Sequence, residues 1–389
     1  MNSTFKVSRL KPFGAVIEGV DLRIRPSDAI LAALEDHAAV HGFLIFSDQV
    51  LSDSDDSLAV FSRHFGSLAA RHSVHSEAVH EDILRVSNDA QHGIINVGPQ
   101  WHNDGNFERR IFKHVWFHAQ RMPSDGNGGT ELSDLAAAYE ALPRHVQDDW
   151  SRLAIINAYS GAVHPLVISH PRSGRRSLCV HLGMVGAVLR WPRLGTRSAI
   201  QQRECFARFS SFRDLDAMHP SAGPFVECGH ELLGEAEVRA LLHSIDALLS
   251  RPEHSTTWTY RAPGAGDSCG CMHDDDIGGG GCDADDDDDD PCQERASSKG
   301  VDLLLVDNLA TAHRATPSAH KAPTEVGIRI LHRTTVHGTQ AIDPPVAAGA
   351  PPFAYIWGQN PLREHRGVWK AADKFGVGFR WNHSLPMRN

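Results

Sequence analysis

The chain has 389 residues, 41% hydrophobic and 22% charged, proportions that suit a globular protein of one large domain or two ordinary ones. No run approaches the eighteen uninterrupted apolar residues a membrane helix needs, and Met1 to Phe13 lacks the apolar core of a secretory signal. The expected compartment is the cytoplasm, with the seven cysteines reduced and no membrane partner.

The formal net charge of −10 resides in one segment. Residues 262–299 hold twelve acids and two bases, whereas the rest of the chain balances 36 acids with 36 bases. A neutral body lacks the basic excess of a nucleic-acid-binding surface.

In chain order, Ala29 to His41 places apolar residues at helical spacing behind the start signal Pro26-Ser27-Asp28. It leads into Gly42-Phe43-Leu44-Ile45-Phe46, an apolar run of strand length. Ser54 to Phe65 reads as a second helix ending at Gly66. Ser133 to Leu142 reads as a third, stopped by Pro143, and Gly234 to Leu249 as a fourth, through Val238, Leu241, Leu242, Ile245 and Leu248. Strand-like runs occupy Ile83–Val86, His114–Ala119, Leu178–His181, Ser255–Tyr260, Val301–Val306 and Ile328–Val336. Many short strands with few helices predict a β-rich α+β sandwich or barrel flanked by helices.

Residues 262–299 differ in kind. Gly278 to Gly281, Asp283 and Asp285 to Asp290 offer no apolar side chains to offset the entropy of ordering, which predicts a disordered surface loop between two strands. The segment also holds Cys269, Cys271, His273, Cys282 and Cys292, but their spacing matches no familiar zinc knuckle. A zinc-binding interaction protein built on this loop is the outlying alternative. The tail, 345–389, carries Tyr355, Trp357, Trp369, Phe379 and Trp381, and can pack on the body or on a second copy in a homo-oligomer.

With 25 histidines, a single one means little; company matters. His102 and Asp104 form an H-x-D pair, which on an extended segment would point both side chains to one side. Two His and one carboxylate on one face leave coordination positions open, which suits ferrous iron that must also bind a cosubstrate and oxygen. The pattern alone is weak, since His273 and Asp275 repeat it inside the acidic insert. The third ligand has a better setting: the apolar strand from Val301 ends in Asp307-Asn308 and a turn presenting His313. On the next strand, Arg329 and Arg333 sit among apolar neighbours, where a guanidinium is costly unless it meets an anion.

At these residues the chain resembles the taurine dioxygenase and 2,4-dichlorophenoxyacetate dioxygenase family. The resemblance is carried by Leu10 to Leu22, Phe65-Gly66, the Trp101-His102-x-Asp104 block, the Asn308-x4-His313-Arg314-Ala315 block and the Arg329-x3-Arg333-Thr334-Thr335 strand. It implies a double-stranded β-helix, or jelly-roll, core in a single dioxygenase domain over 1–389, with 262–299 inserted and 345–389 appended. It implies Fe(II), 2-oxoglutarate and O2, and hydroxylation of a C–H bond with release of succinate and CO2. Its iron ligands would be His102, Asp104 and His313. Thr130, in Gly128-Gly129-Thr130, and Arg329 would hold 2-oxoglutarate, and Arg333 would face the substrate. For Thr130 a helix cap near Ser133 is the structural alternative, and for Arg333 an ion pair.

The taurine-binding set is incomplete. After Phe65-Gly66 the chain reads Ala69-Ala70-Arg71-His72-Ser73-Val74-His75, and Gly98 stands four residues before His102, with Asn96 displaced by two. His72 can substitute for one sulfonate contact and Arg71 can add another, which points to a small carboxylate or sulfonate as substrate. Desaturation or ring closure on the same scaffold, or a binding module without turnover, are the alternatives to hydroxylation.

Overall fold

The computed structural model describes residues 5–49, 56–69, 75–108, 111–123, 125–157, 163–190, 231–260 and 301–338. The acidic insert, the 345–389 tail, Arg71 and His72 lie outside the described residues.

The strands in chain order are β1 (Lys6–Arg9), β2 (Ala15–Glu18), β3 (Phe43–Gln49), β4 (Leu84–Ser87), β5 (His114–Arg121), β6 (Thr130–Asp134), β7 (Leu153–Asn157) and β8 (Val163–Pro165). There follow β9 (Val167–Ser169), β10 (Arg176–Leu178), β11 (Val185–Arg190), β12 (Glu231–Leu232), β13 (Ser255–Trp258), β14 (Val301–Asp307), β15 (Thr311–Ala315) and β16 (Ile330–Val336). The helices are α1 (Asp28–His41), α2 (Ser57–Arg63), α3 (Leu135–Glu140), α4 (Arg144–Trp150), α5 (Glu235–Leu249) and α6 (Pro323–Val326).

One layer is a seven-stranded sheet in the order β1-β2-β3-β14-β5-β16-β4. Its central strands are buried on both faces. Phe43, Ile45, Val115, Phe117, Leu304 and Val306 point inward, against Leu132 and Tyr260 of the opposite layer. Their neighbours Leu44, Phe46, Trp116, Leu303 and Leu305 point outward, against Leu31 and Leu34 of α1 and Leu58 and Phe61 of α2. That double burial is why these strands read as unbroken apolar runs rather than as alternating ones.

The facing layer is the sheet β13-β6-β15. Two single pairings extend it: His313 of β15 with His102, and His102 with His181. Its outer side is closed by α5, whose Val238, Leu241, Leu242, Ile245, Leu248 and Leu249 pack with Trp101, Leu135, Tyr139 and Leu153. A four-stranded sheet, β12-β11-β7-β8, and the hairpin β9-β10 flank this cluster. The β-rich jelly roll with flanking helices is thus the architecture observed.

The helix signals act as their chemistry dictates. Ser27 accepts from the Ile30 N–H at 3.4 Å to start α1, and Gly42, at φ +82°, donates to the Ala38 carbonyl to end it. The third helix needs correcting. Residues 130–134 are drawn into the sheet between β13 and β15, so α3 begins at Leu135, and Asp134 caps it by accepting from the N–H groups of Ala136 and Ala137 at 2.9 Å. The Leu178–His181 run is shifted too: β10 ends at Leu178, and His181 pairs singly with His102.

Candidate metal and cosubstrate site

His102, Asp104 and His313 converge between the two layers. Each offers one ligand atom, and the three atoms lie within 4.8 Å of one another. His102 Nε2 is 3.8 Å from one Asp104 oxygen and His313 Nε2 is 3.6 Å from the other. The two histidines are directly opposed, each donating its backbone N–H to the other's carbonyl at 3.1 Å, so their rings emerge on one face with centroids 4.2 Å apart. The H-x-D segment is not a continuous strand: His102 is a single bridge residue, and Asp104 opens a turn.

Hydrogen bonds spanning 77 to 205 residues hold that turn. Asn308, fully buried, accepts from the Asp104 N–H at 2.8 Å and donates to the carbonyls of Asp104 and Phe112 at 2.8 and 2.6 Å. Asn103 donates to the Asn308 carbonyl at 2.5 Å and accepts from the Val180 N–H at 2.8 Å. Arg314, next to His313, stacks over Trp101, next to His102, at 4.3 Å and pairs with Glu131. Each ligand is therefore braced by a neighbour in sequence.

The electrostatics favour a cation. Burial lowers the pKa of His102 and takes His313 well below the usual histidine range, so both are neutral imidazoles. His102 Nδ1 donates to the Gln100 carbonyl at 2.7 Å, which leaves the Nε2 lone pair facing Asp104. Burial alone would raise the Asp104 carboxyl, but the Arg333 guanidinium beside it outweighs that and holds the pKa down at about 2. Two neutral imidazoles and one carboxylate are a donor set for a divalent ion with positions to spare.

Arg329, immediately before β16, is buried, and its Nε donates to the Gly128 carbonyl at 2.6 Å. A Cβ on Gly128, at φ +81°, would lie 2.9 Å from Arg329 Cδ, so glycine permits this close approach. Among the described residues no carboxylate pairs with the Arg329 guanidinium, and burial lowers its pKa. Thr130 caps no helix. It lies on β6, opposite Ala315 and two residues along from His313, and its Oγ1 is 2.7 Å from the Tyr260 hydroxyl. Thr130 and His313 are thus separated by roughly 7 Å along the strands, with Arg329 at the Thr130 end.

Arg333 sits at the triad itself, its Nη1 2.8 Å from both carboxylate oxygens of Asp104. Arg71 and His72, outside the described residues, are not placed with it. Sequence reasoning assigned no role to three other residues of the site. Asn308 was visible as the first residue of the Asn-x4-His block; Tyr260 ended a strand-like run; His181 carried no local signal. His181 lies beside His102 with ring centroids 4.8 Å apart, and burial pushes its pKa down to about 3.

Comparison with known proteins places this geometry. Residues 6–267 match the family described as Taurine catabolism dioxygenase TauD, TfdA family. The chain is 30% identical over 203 residues to the alpha-ketoglutarate-dependent 2,4-dichlorophenoxyacetate dioxygenase of Cupriavidus pinatubonensis, an alignment covering 43% of this chain and 70% of that one. It is 31% identical over 209 residues to the (S)-phenoxypropionate/alpha-ketoglutarate-dioxygenase of Sphingobium herbicidovorans, covering 46% of this chain and 71% of that one. The solved taurine dioxygenase of Burkholderia xenovorans superposes with a TM-score of 0.57 at 19% identity, covering 92% of this chain and 99% of that one, a likeness of fold. The chain belongs to the TauD, TfdA family and is an Fe(II)- and 2-oxoglutarate-dependent dioxygenase.

Proposed function

We propose that this enzyme hydroxylates a C–H bond of a small anionic organic molecule, with His102, Asp104 and His313 as the iron ligands. Arg329 and Thr130 bind the far carboxylate of 2-oxoglutarate, and Arg333 faces the substrate. The observation that carries the reading is the buried Arg329 guanidinium, which has no acid partner among the described residues and bonds to Gly128 just before β6, the strand paired with the β15 that presents His313. A buried cation of this kind is costly without an anion, which a bound carboxylate would supply.

When bound, the iron supplies the centre at which O2 is reduced and 2-oxoglutarate is converted to succinate and CO2. The protein's own side chains do the rest. The two imidazoles present neutral lone pairs, and Asp104 stays ionised beside Arg333. The Arg329 fork orients the cosubstrate along β15, and the apolar walls from Phe117, Leu132 and Leu331 exclude water. Arg333 balances Asp104 and brings a positive charge to where substrate must lie.

The anionic class is supported by the two bacterial relatives, which are named for acetate and propionate derivatives, and by a sulfonate dioxygenase of Saccharomyces cerevisiae, 26% identical over 208 residues. We take the chain as one dioxygenase domain over 1–389, with 262–299 inserted and 345–389 appended. We also read it as a cytoplasmic enzyme of small molecules, whose body charge shows no basic excess of the kind that nucleic-acid binding uses.

The test is release of CO2 from carboxyl-labelled 2-oxoglutarate against a panel of small sulfonates, aryloxyalkanoates, aliphatic carboxylates and neutral analogues. Stimulation by anions only, with loss of that selectivity in Arg333→Met, is the expected result. Stimulation by neutral analogues alone would overturn the substrate class.

A further inference from the structure

Thr130 and Tyr260 form a hydroxyl pair whose proton inventory is unbalanced. Their oxygens are 2.7 Å apart and both residues are buried. Two hydroxyls carry two protons, and one hydrogen bond between them uses one. Neither hydroxyl has another partner among the described residues, so one O–H is left without an acceptor among them. Beside the pair lies the Arg329 guanidinium, which among the described residues also lacks an acceptor beyond the Gly128 carbonyl, and which acts electrostatically on Tyr260. Among the described residues the cluster holds surplus donors and no carboxylate. An environment of that kind is built for an acceptor-only anion.

The direction of the hydroxyl bond follows from chemistry. A phenol is the more acidic hydroxyl and so the better donor, while an alkyl hydroxyl is the better acceptor. Burial, only partly offset by Thr130 and Arg329, pushes the phenol to about 12, so its proton stays on at any working pH. Tyr260 is held by the inner core cluster with Phe117, Leu132 and Leu331, two residues beyond Trp258, which pairs with Thr130 across β13 and β6. Backbone pairing and ring packing both fix the donor relative to Thr130.

We propose that Tyr260 is a positioning residue for the cosubstrate: its phenol donates to Thr130 Oγ1 and so turns the Thr130 proton toward the carboxylate that Arg329 binds. Tyr260 acts through Thr130 and does not itself touch the ligand. The inference rests on Arg329 and Thr130 as the 2-oxoglutarate anchor.

The experiment is anaerobic binding of 2-oxoglutarate to the Fe(II)-loaded full chain, with Mn(II) affinity measured separately without cosubstrate. Tyr260→Phe keeps the ring and removes the donor. It should weaken 2-oxoglutarate binding about five- to twentyfold and leave Mn(II) affinity unchanged. Thr130→Ala should do the same, and the double variant should bind no worse than Thr130→Ala alone, because Tyr260 then has nothing to orient. Thr130→Ser, which keeps the hydroxyl, should bind as the parent does and lose affinity when Tyr260→Phe is added. Unchanged binding in Tyr260→Phe would overturn the proposal, as would strictly additive losses in the double variant. A merely structural role would lower the melting temperature without moving the 2-oxoglutarate affinity. Arg329→Gln tests the underlying reading: if it binds 2-oxoglutarate as the parent does, the anchor is misassigned, whatever Tyr260→Phe shows.

Discussion

The Asn308 side chain grips both backbone polar groups of Asp104, accepting from its N–H at 2.8 Å and donating to its carbonyl at 2.8 Å. Asn308 opens the turn between β14 and the strand that presents His313, so one amide ties the two halves of the candidate metal centre together. Asn308→Asp keeps the size and one acceptor but loses both donated bonds. Supporting contacts of this sort carry about 10- to 100-fold in metal affinity. Mn(II) titration followed by electron paramagnetic resonance should show a loss in that range. An unchanged dissociation constant would mean that Asp104 is placed by other contacts.

Arg333 and a divalent cation offer the same service to Asp104. Arg333→Met leaves a buried carboxylate without its partner, a change that costs about 3–5 kcal/mol where pairs are fully buried. The variant should melt at lower temperature than the parent in chelator. Saturating Mn(II) should restore most of the difference, because the ion takes over the charge. Equal loss with and without metal would show that ion and carboxylate do not meet.

Acid sensitivity should trace in part to Glu35 on α1. Lys113 lies 2.6 Å and His114 3.3 Å from one of its oxygens, and Arg172 pairs with the other. Burial works to raise the carboxyl, but His114 and Lys113 outweigh it and bring it from the usual 4.5 to about 2. A depressed carboxylate contributes stability above its unfolded value, and that contribution fades as the pH falls from 4.5 toward 2. Glu35→Gln should therefore melt lower at neutral pH and show a flatter stability curve across that interval. Parallel curves for variant and parent would refute the assignment.

Gly128 is the contact point between the turn before β6 and Arg329. Gly128→Ala puts a methyl 2.9 Å from Arg329 Cδ at φ +81°, a strain of about 1 kcal/mol or more. The account expects 2-oxoglutarate affinity to fall on the order of tenfold with Mn(II) affinity kept, both read by calorimetry. Loss of metal binding instead would place Gly128 in support of the triad.

The parts legible in sequence are those whose signal is local. The strands around Leu44 and Leu304 stand out because burial on both faces leaves an apolar run, and α1 because Ser27 and Gly42 cap it. The boundary at Asp134 is not legible, because residues 130–134 are too short for a period of two to be told from one of 3.6, and pairing with β13 and β15 decides it. The candidate triad is legible only through a resemblance to a family, since His102-Asn103-Asp104 is a bridge and a turn rather than the strand that the spacing suggests. Asn308, Tyr260 and His181 reach the site across distances of 79 to 204 residues in the chain, and no local pattern encodes such contacts.

The most direct measurement is an anaerobic visible difference spectrum of the apoprotein titrated with Fe(II) and 2-oxoglutarate. The account predicts a weak metal-to-ligand charge-transfer band that saturates with both ligands and is absent in His102→Ala and in Asp104→Ala. A folded parent protein that shows no band at saturation, or a band that survives intact in those variants, would contradict the site described.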